Sequence, residues 1–126
     1  MLTDRELLEL SAKAYWGDEI DDVCSVRWLE DEESIGYTHG DNQDHNGCDR
    51  EFLWNPLTDD GDALRLAVKL RLDVCRPDAE HKGVCVWVDH IGDFIEEPHG
   101  DDEYAATRRA IVRSAAEIGK AMRAAS

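Results

Sequence analysis

Four cysteines and five histidines hold most of the reactive and metal-binding capacity of this 126-residue chain. Zinc sites are recognised by closely spaced ligand pairs such as Cys-x-x-Cys, and Cys24, Cys48, Cys75 and Cys85 form no such pair. His39, His45 and Cys48 share one polar stretch, with Cys24 near it in sequence, and a tetrahedral site needs only three or four such ligands. The simpler reading is a loop that happens to contain them, and no metal or cofactor is expected. The same stretch approaches a calcium loop. With Gly47 as the obligatory glycine, Asn42, Asp44 and Asn46 fall at ligating positions, but the twelfth position, which must be a bidentate acid, is Leu53. The motif fails.

Asp59, Asp60 and Asp62 would suit a divalent cation, but acids just before an apolar stripe are more simply helix caps. Asp89-His90 with Asp93 resembles part of a metal-hydrolase site, yet no second His-x-His or His-Asp pair accompanies it. Glycine-rich phosphate loops and the Gly-x-Ser-x-Gly elbow are absent from the sequence. None of the serines has a neighbouring base. Cys75 and Cys85 lie at the two ends of an expected hairpin loop, where a disulfide is geometrically open, although a reducing interior would keep both as thiols. The chemistry therefore favours a non-enzymatic protein, with no catalytic residue to nominate.

Charge limits the partners. Residues 1–62 hold 18 acids and 4 bases, whereas residues 63–126 hold 11 acids and 10 bases, so nearly all of the net −15 sits in the first half. Such a surface repels phosphate, and direct nucleic-acid binding is not expected. It is either a solvated face or a recognition surface for a basic partner. No apolar run approaches the roughly 20 residues of a membrane span. Met1–Glu6 is charged where a secretory leader would be apolar, so neither membrane nor export is expected. Trp16, Trp28, Trp54 and Trp87 each fall in or beside an expected element and read as core; one or two exposed together would mark a binding surface.

The elements follow from periodicity. Thr3-x-x-Glu6 has capping-box spacing, an apolar stripe runs through Leu7, Leu8, Ser11, Ala14 and Tyr15, and Gly17 provides a stop, which predicts a helix over 4–16. Val23–Leu29 alternates as a strand. An acidic turn, Glu30–Ser34, leads into a second strand from Ile35, and a polar loop is expected over His39–Arg50. Residues 64–74 fit both a strand alternation and a helical stripe; the reading is helix over about 60–70 and strand over 71–76. A strand over Val84–Asp89, an edge strand over 91–97 and a long final helix complete the chain. Tyr104, Thr107, Ile111, Ala115, Ile118 and Met122 are placed on that helix's inward stripe, leaving Arg109 and Arg113 off it. The expected fold is one α+β domain over 1–126, a small antiparallel sheet of hairpins sandwiched by N- and C-terminal helices in α/β/α layers.

Two segments carry a resemblance. Trp54-Asn55-Pro56-Leu57-Thr58-Asp59-Asp60-Gly61-Asp62-Ala63-Leu64-Arg65-Leu66-Ala67 resembles the Trp-Asn-Pro-Leu segment and following helix of the phage ABA sandwich family. Asp102-Glu103-Tyr104-Ala105-Ala106-Thr107-Arg108-Arg109-Ala110-Ile111-Val112 resembles that family's C-terminal helix, and NinX-type phage proteins are similar. The resemblance implies helices on either side of a central sheet and supplies no catalytic residues. With it, the expectation is a phage or prophage accessory protein of the bacterial cytoplasm that binds a host or phage protein, with self-association a further option. Trp54, Asn55, Pro56, Arg109 and Arg113 are the candidate contacts. Alternatives are an acidic DNA mimic that blocks a host DNA-binding protein, and a small metal-dependent hydrolase.

Overall fold

A computed structural model describes residues 2–17, 23–43, 49–75 and 83–125, with side chains described for 2–17, 26–38, 51–75 and 83–124. Helix α1 spans Asp4–Trp16 and opens with the capping box: the Glu6 amide donates to Thr3 Oγ1 at 3.1 Å and the Thr3 amide to Glu6 Oε1 at 3.0 Å. Both otherwise orphaned amides are thereby satisfied. Gly17 ends the helix at φ +40, a backbone conformation that a side chain would disfavour. Helix α2 spans Asp60–Lys69, capped by the Asp59 carboxylate on the Asp62 amide, and α3 spans Glu103–Ala125.

The strands are β1 (Val23–Leu29), β2 (Ser34–Gln43), β3 (Asp49–Trp54), β4 (Asp73–Cys75), β5 (Gly83–Val88) and β6 (Asp93–Pro98). The class is α+β, with hairpins throughout and helices at both ends. The strands form two antiparallel three-stranded sheets, ordered β1-β2-β3 and β4-β5-β6, in place of one. Helix α3 runs through the middle, packed on α1, α2, β5 and β6, while α1 also packs on β2. Small residues make the α1–α3 approach close: the Ser11 hydroxyl donates to the Val112 carbonyl at 3.0 Å, and Gly119 lies against the Leu10 carbonyl where a Cβ would not fit. Strand β5 turns Val84, Val86 and Val88 into this core and leaves Cys85 and Trp87 on the other face.

Two further expectations change. The stretch read as a polar loop over 39–50 contains the end of β2, which continues to Gln43, and the start of β3 at Asp49. Ladder hydrogen bonds to neighbouring strands, not side-chain propensity, make strand of that polar sequence. Tyr104, placed on the inward stripe of α3, is 73% exposed, and in that first turn it is Ala106 that is buried in the core. The ambiguous 64–74 stretch follows the expected split, helix to Lys69 and then strand from Asp73.

Candidate interaction cleft

The Trp-Asn-Pro-Leu segment is the turn that carries β3 into α2. Trp54 is 2% exposed and joins an aromatic cluster, stacked on Tyr15 at 5.4 Å and tilted against Trp16 at 5.1 Å. Its indole N–H has no hydrogen-bond partner among the described residues. Pro56 is also fully buried. The surface of this segment is therefore Asn55, Leu57 and Thr58, and neither the Trp54 ring nor Pro56 reaches it.

Asn55 locks the turn in place. Its amide Nδ2 donates to the Glu33 carbonyl at 3.1 Å and to Ser34 Oγ at 3.0 Å, its Oδ1 accepts from the Leu57 amide at 3.0 Å, and its backbone N–H donates to Asp62 Oδ2 at 3.0 Å. One residue, through its side chain and its backbone N–H together, thus ties the β1–β2 turn to the start of α2. The Asp62 carboxylate also accepts from Arg65 at 2.8 Å, and this bond is the main reason the Arg65 guanidinium is held above its ordinary range. Asp60 pairs with Arg108 at 2.7 Å. The three acids at the start of α2 are thus a cap and two ion-pair partners.

Beside Asn55 opens a cleft of about 540 Å³ between the start of α1 and the β1–β2 turn. Thr3, Asp4, Arg5 and Leu8 form one wall; Trp28, Glu30, Glu32 and Glu33 form the other, and Asn55, Leu57 and Thr58 close the end. Alternation along β1 puts the Trp28 ring here. Its indole N–H donates to Glu30 Oε2 at 2.7 Å, which fixes the ring, while Arg5 lies over its face with the guanidinium carbon 5.4 Å from the ring centre. Arg5 also pairs with Glu9 at 2.8 Å and reaches Glu30 at 3.7 Å. Glu32 and Glu33 have no ion pair among the described residues, so the rim keeps a negative surplus. Glu33 holds its place at φ +48, left-handed backbone that glycine or asparagine adopts at much lower cost. Asp4 is shared, lining the cleft and pairing with Arg109 at 3.0 Å.

Arg109 and Arg113 lie on the other side of Asp4, in a groove of about 640 Å³ with Leu2, Leu7 and Pro98. Arg113 pairs with Glu97 and donates to the Glu96 carbonyl at 2.7 Å, and Arg109 reaches Glu97 at 3.8 Å. Glu97 is shielded, its side chain 16% exposed, and both arginines spend their donors fastening β6 and α1 to α3. Of the five sequence-stated contacts only Asn55 lines the cleft; Trp54 and Pro56 support it from below, and the arginines stand next door. Reasoning from sequence missed Arg5 and Trp28. Its usable signals were a tryptophan on the strand leading into four successive acids, Glu30-Asp31-Glu32-Glu33.

The remaining motifs do not converge. The Asp89 carboxylate accepts from the Trp87 indole at 2.8 Å, Asp93 accepts from the Phe94 amide at 2.8 Å, and His90 is exposed. The side chains of Cys24 and His39, and the whole of His45 and Cys48, lie outside the described residues. Among the described residues no three His, Cys, Asp or Glu side chains group as metal ligands do, and no helix is long and apolar enough to cross a membrane. No protein-family model, curated protein or solved structure matches the chain.

Proposed function

We propose that this protein is a macromolecule-binding module that accepts a basic segment of a protein partner in the cleft between α1 and the β1–β2 turn. The carrying observation is the Trp28 ring, fixed at its edge by Glu30 and covered on its face by the chain's own Arg5 beneath a rim of carboxylates. That is the arrangement by which an aromatic face and acids together take a guanidinium or ammonium group. A partner's arginine would replace Arg5 on the ring and meet Glu32 and Glu33, and the net charge of −15 would draw it in from solution. Asn55 belongs to this reading as the residue that holds the acidic turn, and Arg109 acts through Asp4. The phage ABA sandwich resemblance adds a context to the reading: a phage or prophage accessory protein acting in the bacterial cytoplasm on a host or phage protein.

Titration of the 15N-labelled protein with an arginine-rich peptide tests the proposal. The expected result is amide shifts concentrated at Thr3–Leu8, Trp28–Ser34 and Asn55–Thr58, saturating with peptide. Shifts confined to α2 or to the outer face of β4-β5-β6 would overturn it.

A further inference from the structure

Cys75 and Cys85 stand directly opposite each other on β4 and β5. Opposed residues of an antiparallel pair have Cα atoms roughly 4.5–5.5 Å apart, inside the span a disulfide bridges. Both are free thiols, and both point to the outer face of the sheet, away from Val84, Val86 and Val88. Cys75 is exposed on a three-residue edge strand exposed at every position, while Cys85 is half-buried on the central strand. Glu96 is the next residue in the same cross-strand row. The Cys85 thiol is pushed up first by burial and then by Cys75 and Glu96, so its neighbours act on the sulfur through space.

We propose that Cys75 and Cys85 are a reversible dithiol–disulfide site that exchanges with a small-molecule disulfide such as glutathione disulfide. Cys75 reacts first, being the accessible thiol of the two. Its thiolate attacks one sulfur of the external disulfide, forming a mixed disulfide and expelling one small thiolate, which takes up a proton. Cys85 then loses its proton and attacks the Cys75 sulfur, expelling the second small thiolate. Two protein thiols are oxidised to one bridge, and one external disulfide is reduced to two thiols. The bridge fastens the β4 edge to β5. The inference is independent of the cleft, which lies on the other sheet.

The full-length wild-type chain, folded and incubated with glutathione disulfide, is acid-quenched, digested without reductant and analysed by mass spectrometry. The expected product is a linked pair of peptides containing Cys75 and Cys85, lost on treatment with dithiothreitol. Cys85→Ser should instead accumulate a glutathione adduct on Cys75, and Cys75→Ser should react several-fold more slowly at Cys85. A wild-type protein that stops at the Cys75 adduct, bridges through Cys24 or Cys48, or leaves Cys75 and Cys85 unmodified would overturn the proposal.

Discussion

The guanidinium carbon of Arg5 sits 5.4 Å from the centre of the Trp28 ring, so the chain covers this aromatic face with one of the few bases in its acidic half. An internal cation in that position competes with any external one. Removing it should strengthen binding of a basic segment, where loss of an ordinary surface contact would do nothing. A cation–π contact at an exposed site is worth about 0.5–1 kcal/mol, so Arg5→Ala should raise the affinity for an arginine-rich peptide about two- to fivefold. Isothermal titration reads this directly; weaker binding by the variant would show that Arg5 is part of the recognised surface and not a placeholder.

The left-handed backbone at Glu33 predicts a trade of stability for binding. Glycine there relieves a strain of about 1–3 kcal/mol and loses about 0.5–1 kcal/mol through its freer unfolded chain. Glu33→Gly should therefore raise the urea midpoint while weakening capture of a basic peptide. A midpoint that falls would mean the Glu33 side chain supports the fold in a way the backbone geometry does not reveal.

At the α1–α3 crossing, helix propensity and packing oppose each other. Alanine is favoured over glycine in a helix interior by about 1 kcal/mol, yet a Cβ at Gly119 would collide with the Leu10 carbonyl, which is rigid backbone. Overpacking of this kind costs about 1–3 kcal/mol or more, so Gly119→Ala should be net destabilising despite its better propensity. Thermal unfolding decides the sign.

Tyr37 gives a pH dependence. Burial first, then Asp62 and Tyr15, push its phenol above the ordinary value of about 10, against a smaller opposing effect of Arg65. The unfolded chain therefore releases this proton at lower pH than the folded one. The resulting stability is fully present below about pH 10 and is lost as pH rises through the folded value. Urea midpoints measured from about pH 8 to 11 should fall more steeply for the wild type than for Tyr37→Phe; parallel slopes would refute the assignment.

Most of the elements were legible in the sequence because local signals agreed with the packing. Thr3, Glu6 and Gly17 delimit α1, and the 64–74 stretch resolves in favour of its helical stripe: Leu66 and Leu70 are buried while Leu64 and Val68, which a strand reading makes equivalent to them, face solvent. The ends of β2 and β3 were hidden because their polar residues carry no alternation, and pairing alone makes them strand. The site was harder to read. Trp54 and Asn55 lie side by side in sequence, yet one is a core ring and the other a surface clamp, a distinction set by which side of the turn meets Tyr15 and Trp16. Arg109 and Arg113 were recognised as off the core stripe, but their pairing with Asp4 and Glu97 depends on elements distant in sequence. Arg5 over Trp28 likewise joins two elements whose contact no periodicity announces.

The account rests on the acidic cleft taking up a basic segment, and the most direct measurement is the affinity of an arginine-rich peptide for the wild type and for the Glu32→Lys/Glu33→Lys double variant at two salt concentrations. Both residues are exposed and without ion pairs among the described residues, so the variant should fold like the wild type. With exposed pairs worth up to about 1 kcal/mol each, the predicted result is about a tenfold loss of affinity, and a wild-type affinity that drops as salt is raised. Equal, salt-insensitive binding by the two proteins would contradict the account.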